Sequence, residues 1–209
     1  MKKYGLVLFS IGMAACGAPA AQAQNTCMEG QKMNTFLQAY LPTNYGEMSR
    51  RSVQTDGEAV ELVRYQPAGR TATEWGGEHF STVFTQSGCL KGFAWMSPSL
   101  VGGSLPDKAE AQAVADRFLR DYAPDLGDNK EIHWVDKHDE PLQVGGQKNT
   151  LTGMKVKMRN PTDGRWFWVI VGNHGRAMVF ERDIVWVSFP GHRQTEKWLH
   201  DEWLETQKK

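Results

Sequence analysis

The chain is short of cysteine, of net charge and of catalytic signatures, and each shortage removes a class of protein. Only three cysteines occur in 209 residues, with no C-x-x-C and no Cys/His pair at zinc spacing, which excludes a thiolate-held structural metal. Basic and acidic side chains balance at 24 each, so no electrostatic grip on nucleic acid or anionic lipid is expected. Beyond the N-terminus no apolar run approaches the roughly 20 residues of a spanning helix; the longest aromatic–aliphatic stretch is Trp166 to Val171. G-x-S-x-G and H-E-x-x-H are absent, and Val101-Gly102-Gly103-Ser104 lacks the Lys of a phosphate-cradling loop. The expectation is a non-catalytic protein without a cofactor.

The N-terminus carries an address. Lys2 and Lys3 precede the apolar stretch Tyr4 to Ala15, and Ala21-Gln22-Ala23 supplies small residues at signal-peptidase spacing. Residues 1–23 therefore read as a signal peptide, and the protein is expected to be periplasmic or secreted. Met13-Ala14-Ala15-Cys16-Gly17 also resembles a lipobox, which would leave a lipid anchor at Cys16. Either way Cys27 and Cys89 remain as a pair in an oxidising compartment, where a disulfide is expected. In the chain-entropy picture a loop of that length contributes about 4 kcal/mol.

What the chain has in plenty is self-similarity. Phe36-Leu37-Gln38-Ala39-Tyr40-Leu41-Pro42 returns as Phe118-Leu119-Arg120-Asp121-Tyr122-Ala123-Pro124, and the run from Phe80 to Gly88 returns from Phe167 to Gly175. An offset of roughly 85 residues exceeds the ~20–50 of solenoid repeats and points to a duplicated small domain. Met33, Phe36, Leu37 and Tyr40 share one helix face, as do Ala115, Phe118, Leu119 and Tyr122, with Ser104 and Asp107 as the capping box of the second helix. Strands are predicted at 60–65, 80–85, 90–95, 132–135, 152–158, 166–171 and 176–180, with Gly88 and Gly175 in hairpin turns. The segment 184–189 adds a further strand and 195–206 a closing helix. The predicted class is α+β: two tandem helix-plus-antiparallel-sheet units, at 24–103 and 104–190, with a C-terminal helix at 191–209.

Helix-then-hairpins twice behind a signal peptide resembles the PepSY family of exported modules. The resemblance rests on the alanine-rich run Lys108 to Ala115 and on the hairpin Val169-x-Val171…Gly175, with Thr82-x-Phe84…Gly88 as a weaker counterpart. Gln86 and Asn173 stand near where that family often carries Asp. In architecture alone the chain is also similar to the beta-lactamase inhibitor protein. Either resemblance implies a module that binds or restrains a partner protein.

Eight tryptophans are available for such work. Trp75 sits in Glu74-Trp75-Gly76-Gly77-Glu78-His79, a glycine-bearing insertion with no counterpart in the second copy. It reads as an interface anchor, with Glu74, Glu78 and His79 as its polar rim. Three functional readings follow. The leading one is an exported binding or inhibitory protein that docks a protein partner. The second is an envelope lipoprotein held at Cys16. The third is a metal-dependent hydrolase using His133 and His138, the densest set of metal-ligand types, though two His five apart in a strand face opposite ways.

Overall fold

The computed structural model describes residues 31–207; the expected signal peptide, Cys16 and Cys27 lie outside the described residues. Helix α1, Gln31–Tyr40, is followed by β1 (Tyr45–Thr55), β2 (Glu58–Pro67), β3 (His79–Thr85) and β4 (Leu90–Met96). Then come α2 (Lys108–Tyr122), the short α3 (Pro124–Gly127), β5 (Glu131–Val144), β6 (Gln147–Arg159), β7 (Trp166–Val171) and β8 (Ala177–Ile184). Two-residue strands β9 (Trp186–Val187) and β10 (His192–Arg193) and the helix α4 (Asp201–Thr206) complete the chain.

The α+β prediction of two tandem units is overturned. β1 to β8 form one eight-stranded antiparallel sheet in the order β1-β2-β3-β4-β8-β7-β6-β5, and strand accounts for 46% of the structure against 21% for helix. The reason lies at the centre, where β4 pairs with β8 through Gly92↔Glu181, Phe93↔Phe180 and Ala94↔Val179. Neither half ends in an edge of its own there, so the meanders merge into a fold that is mostly β. The helices share one core rather than each roofing a unit: Phe36 of α1 meets Phe118 of α2 at 6.4 Å and Tyr122 at 5.3 Å, both edge-on. The echoed sequences do occupy corresponding places, with Gly88 in the β3–β4 turn (φ 84°) and Gly175 in the β7–β8 turn (φ 62°).

Two further boundaries differ from expectation. The cap of α2 is Asp107, not Ser104: the Asp107 carboxylate accepts from the Glu110 N–H at 2.8 Å, and Glu110 accepts from the Asp107 N–H at 2.9 Å. The closing helix begins only at Asp201, because residues 195–200 form a bend and then a turn in which the His200 N–H donates to the Lys197 carbonyl at 2.9 Å.

Each face of the sheet therefore has its own cover. The first face packs Phe80, Phe93, Phe167 and Phe180 under α1 and α2. The second gathers Val60, Leu62, Val83, Ile170 and Met178 beneath Leu199 and Leu204 of the C-terminal segment. Gly92 makes that second cover fit. A Cβ there would meet Leu199 Cδ1 and the Phe180 carbonyl oxygen, each at 2.8 Å, so any side chain would push against the β8 backbone and displace the Leu199 side chain. No helix among the described residues is long and apolar enough to cross a membrane. Cys89 is buried at the entry to β4. Free-thiol labelling of the unreduced, denatured mature protein should find no thiol if Cys27 pairs with Cys89; two reactive thiols would end that expectation.

Candidate functional site

The second face is not covered evenly, and the gap is a cleft of about 400 Å³. Its walls come from three distant parts of the chain. Trp75 and Gly76 belong to the β2–β3 loop, Glu140 to Gln143 to the far half of β5, and Leu199 to Glu205 to the C-terminal segment. The arrangement follows from strand length. β6 pairs with β7 only from Met154 to Arg159, so the earlier residues of β6 and the later ones of β5 overshoot the sheet. Leu142 and Leu151 on that overhang are buried with the second-face core, which folds the hairpin over. The Gln143 N–H then donates to the Gly76 carbonyl at 2.7 Å, closing the hairpin against the loop.

One buried ion pair holds the third wall. Arg64 emerges from the apolar run of β2 and donates Nη1 to Asp201 Oδ1 at 2.7 Å and Nη2 to Oδ2 at 2.9 Å. The side chains are 4% and 9% exposed, so little solvent weakens the fork-to-fork geometry. Asp201 Oδ2 also accepts from the Gly76 N–H at 2.6 Å, and the remaining Arg64 reach goes to the Glu74 carbonyl at 3.1 Å. Burial works against the Asp201 carboxylate. The His79 ring, the Arg64 guanidinium and the Gly76 N–H together outweigh it and hold its pKa below the ordinary value.

His79 lies at the base of the cleft, fully enclosed. Burial and the Arg64 guanidinium push its pKa down to about 4, against the opposing pull of Asp201 and the Gly77 carbonyl. The ring is thus neutral near pH 7. Its Nδ1 lies 2.8 Å from the Gly77 oxygen, a partner that only accepts, which assigns the proton to Nδ1 and leaves Nε2 as a bare acceptor. That Nε2 is buried without a hydrogen-bond partner.

A second ionic group ties down the same segment. Glu181 of β8 accepts from Arg193 Nη2 at 2.7 Å and lies 3.1 Å from His200 Nε2. Burial would raise the Glu181 pKa, but His200 and Arg193 reverse that and hold it far below the usual carboxylate range. His200 is the mirror case: burial opposes its charge, and Glu181 outweighs burial and raises its pKa. Asp201 in the cleft wall and Glu181 beneath the same segment are therefore committed to structural partners, and Arg64 and Arg193 are spent with them. The arrangement builds a walled recess.

The four residues expected to form the anchor and rim separate on folding. Trp75 lines the cleft, partly buried against the second-face core, with the Arg64 guanidinium 5.2 Å from its ring centre. His79 is floor rather than rim. Glu74 turns outward to an ion pair with Arg70, and Glu78 turns the other way to accept from Tyr45 Oη at 2.7 Å and Ser97 Oγ at 3.1 Å. The actual mouth is made by Glu202, Glu205 and Lys148, which sequence reasoning did not single out. The missed signal was Arg64, a guanidinium inside an apolar strand run, which requires a buried acid somewhere.

His133 and His138 do not converge. Five residues along one strand separate them by about 16 Å; His133 packs edge-on against Trp166 at 5.0 Å, and His138 lies 3.2 Å from Glu140. Among the described residues no group of three or more His, Cys, Asp or Glu could hold a metal ion. No family model, curated protein or solved structure matches the chain, so the PepSY-like resemblance rests on sequence pattern alone.

Proposed function

We propose that the protein is an exported, non-catalytic binding protein that docks a protein partner through the cleft, restraining or inhibiting it. The observation that carries this reading is the cleft itself. Three segments remote in sequence are locked around it by the buried Arg64–Asp201 pair, so its shape exists before any partner arrives. Preformed walls lower the ordering cost of association, and Trp75 supplies an aromatic surface of the kind that dominates interface energetics. Export is carried by the signal-like N-terminal pattern.

A photoreactive residue at Glu202, in the mouth, tests the proposal against the same probe at Arg117 on α2. Exposed to an envelope fraction of the source organism, the Glu202 probe should yield one discrete protein adduct that Arg117 does not. Trp75→Ala should reduce that adduct at least tenfold while leaving the sheet intact by circular dichroism. Equal labelling from both positions, or an adduct indifferent to Trp75, would overturn the cleft as the docking site.

A further inference from the structure

Away from the cleft, toward the opposite end of β6, lies a surface that the partner-docking reading does not use. Side chains two apart on a strand point the same way, and β6 places Lys155, Lys157 and Arg159 in one row on the second face. Tryptophans from β5, β7 and β9 close around the row. Lys157 Nζ is 4.4 Å from the ring centre of Trp166, 5.7 Å from Trp134 and 5.9 Å from Trp186. Arg159 lies 5.8 Å from Trp166. Trp166 packs partly buried against the second-face core, while the other two rings stand out of it: Trp134 is 36% exposed and Trp186 50%.

Two features of this row ask for a ligand. First, among the described residues no carboxylate forms an ion pair with Lys157 or Arg159, although Glu131 faces Arg159 across the β5–β6 register. The three indoles take the place of an acid partner around Lys157, and burial holds its ammonium pKa below the ordinary lysine value. A cation already stripped of part of its water binds an anion at smaller desolvation cost. Second, indole faces at partial exposure offer flat apolar area beside those charges, an amphipathic surface enriched where ligands bind.

We propose that this tryptophan-flanked cationic row binds an acidic polysaccharide, sugar rings lying on the indoles and their carboxylates meeting Lys157 and Arg159. The flat, C–H-lined faces of sugar rings match exposed indoles, and acid groups repeated along the polymer match cations repeated along β6. Nucleic acid fits less well. Its affinity depends on several phosphate contacts at once, and Lys155, the third cation, is turned onto Trp168 at 4.1 Å and mostly buried.

Polygalacturonate is the probe, with dextran as neutral control and single-stranded oligothymidylate as anionic control, titrated into the purified protein while tryptophan fluorescence is followed. Polygalacturonate should bind with a fluorescence change and dextran should not. Trp186→Ala, at a half-exposed ring, and Lys157→Met, which keeps the stem packing, should each weaken binding at least tenfold with unchanged circular dichroism. No polygalacturonate binding at millimolar uronate, equal binding of dextran, tighter binding of oligothymidylate, or variants that bind like the parent would each overturn the proposal. Because Glu202 photolabelling probes the other end of the face, either result can fail while the other stands.

Discussion

Asp201→Ala should remove about 3–5 kcal/mol of folding stability, the largest loss expected from any single side chain of the cleft. The substitution leaves the Arg64 guanidinium, 4% exposed, without its bidentate acid, and it orphans the Gly76 N–H as well. An uncompensated buried charge costs far more than the pair contributes, because breaking one partner forfeits the attraction and keeps the desolvation. Asp201→Asn should fall between, since an amide oxygen can still accept from Gly76. The double variant Arg64→Met, Asp201→Leu should recover much of the loss, the signature of a coupled buried pair. By contrast, Arg50 with Glu47 and Glu61 on the exposed edge, at 44%, 42% and 40% side-chain exposure, should matter by ~1 kcal/mol or less. Urea denaturation near pH 7 measures all of these. A loss under 1 kcal/mol for Asp201→Ala would mean that the pair does not anchor the third wall.

That anchor also explains which parts of the molecule were readable in advance. The helical stripes of α1 and α2 and the apolar runs of β2, β3, β7 and β8 follow local periodicity, so residue spacing alone locates them. β1 escaped because Tyr45 to Thr55 is a polar edge strand, with Arg50, Arg51 and Glu47 in place of any alternation; charge on an edge guards against pairing with another chain. β5 ran past its expected end at residue 135, and through Pro141, for a related reason. It too is an edge, where a missing N–H breaks no ladder, and Pro141 faces solvent.

The single sheet was harder to see. It depends on three residue pairs between β4 and β8, remote in sequence and free of any motif. A repeated pattern is equally compatible with two closed units and with two halves zipped edge to edge, and the choice is made by pairing that period counts do not contain. The cleft was half legible. Trp75 stood out as an unneeded aromatic in an insertion, whereas His79 looked like polar rim because its burial depends on α4 arriving from more than a hundred residues away.

The same burial makes acid the next large perturbation. His79 has a folded-state pKa of about 4 against roughly 6.5 in an unfolded chain, so the unfolded state takes up this proton first as pH falls. Its contribution is constant above about pH 6.5, then shrinks by ~1.4 kcal/mol per pH unit down to about pH 4, on the order of 3 kcal/mol in all. The groups facing the ring are Arg64 from β2, Asp201 from α4 and the Gly77 carbonyl; the guanidinium opposes the new charge, and burial opposes it more. His200 has the opposite sign: its pKa is raised by Glu181, so its contribution is fully present below about pH 6.5 and fades as pH rises through the folded value. Asp201 and Glu181 have lowered pKa values, and their contributions fade only below the ordinary carboxylate range near pH 4. The slope between pH 6.5 and 4.5 should therefore belong to His79. His79→Asn keeps a side-chain N–H for the Gly77 carbonyl and removes the titrating ring. In urea titrations at pH 7.5, 6.0 and 5.0 the parent should lose about 2 kcal/mol more than the variant across the series, the His200 contribution being common to both. Parallel slopes in the two proteins would show that His79 is not the acid-sensitive element.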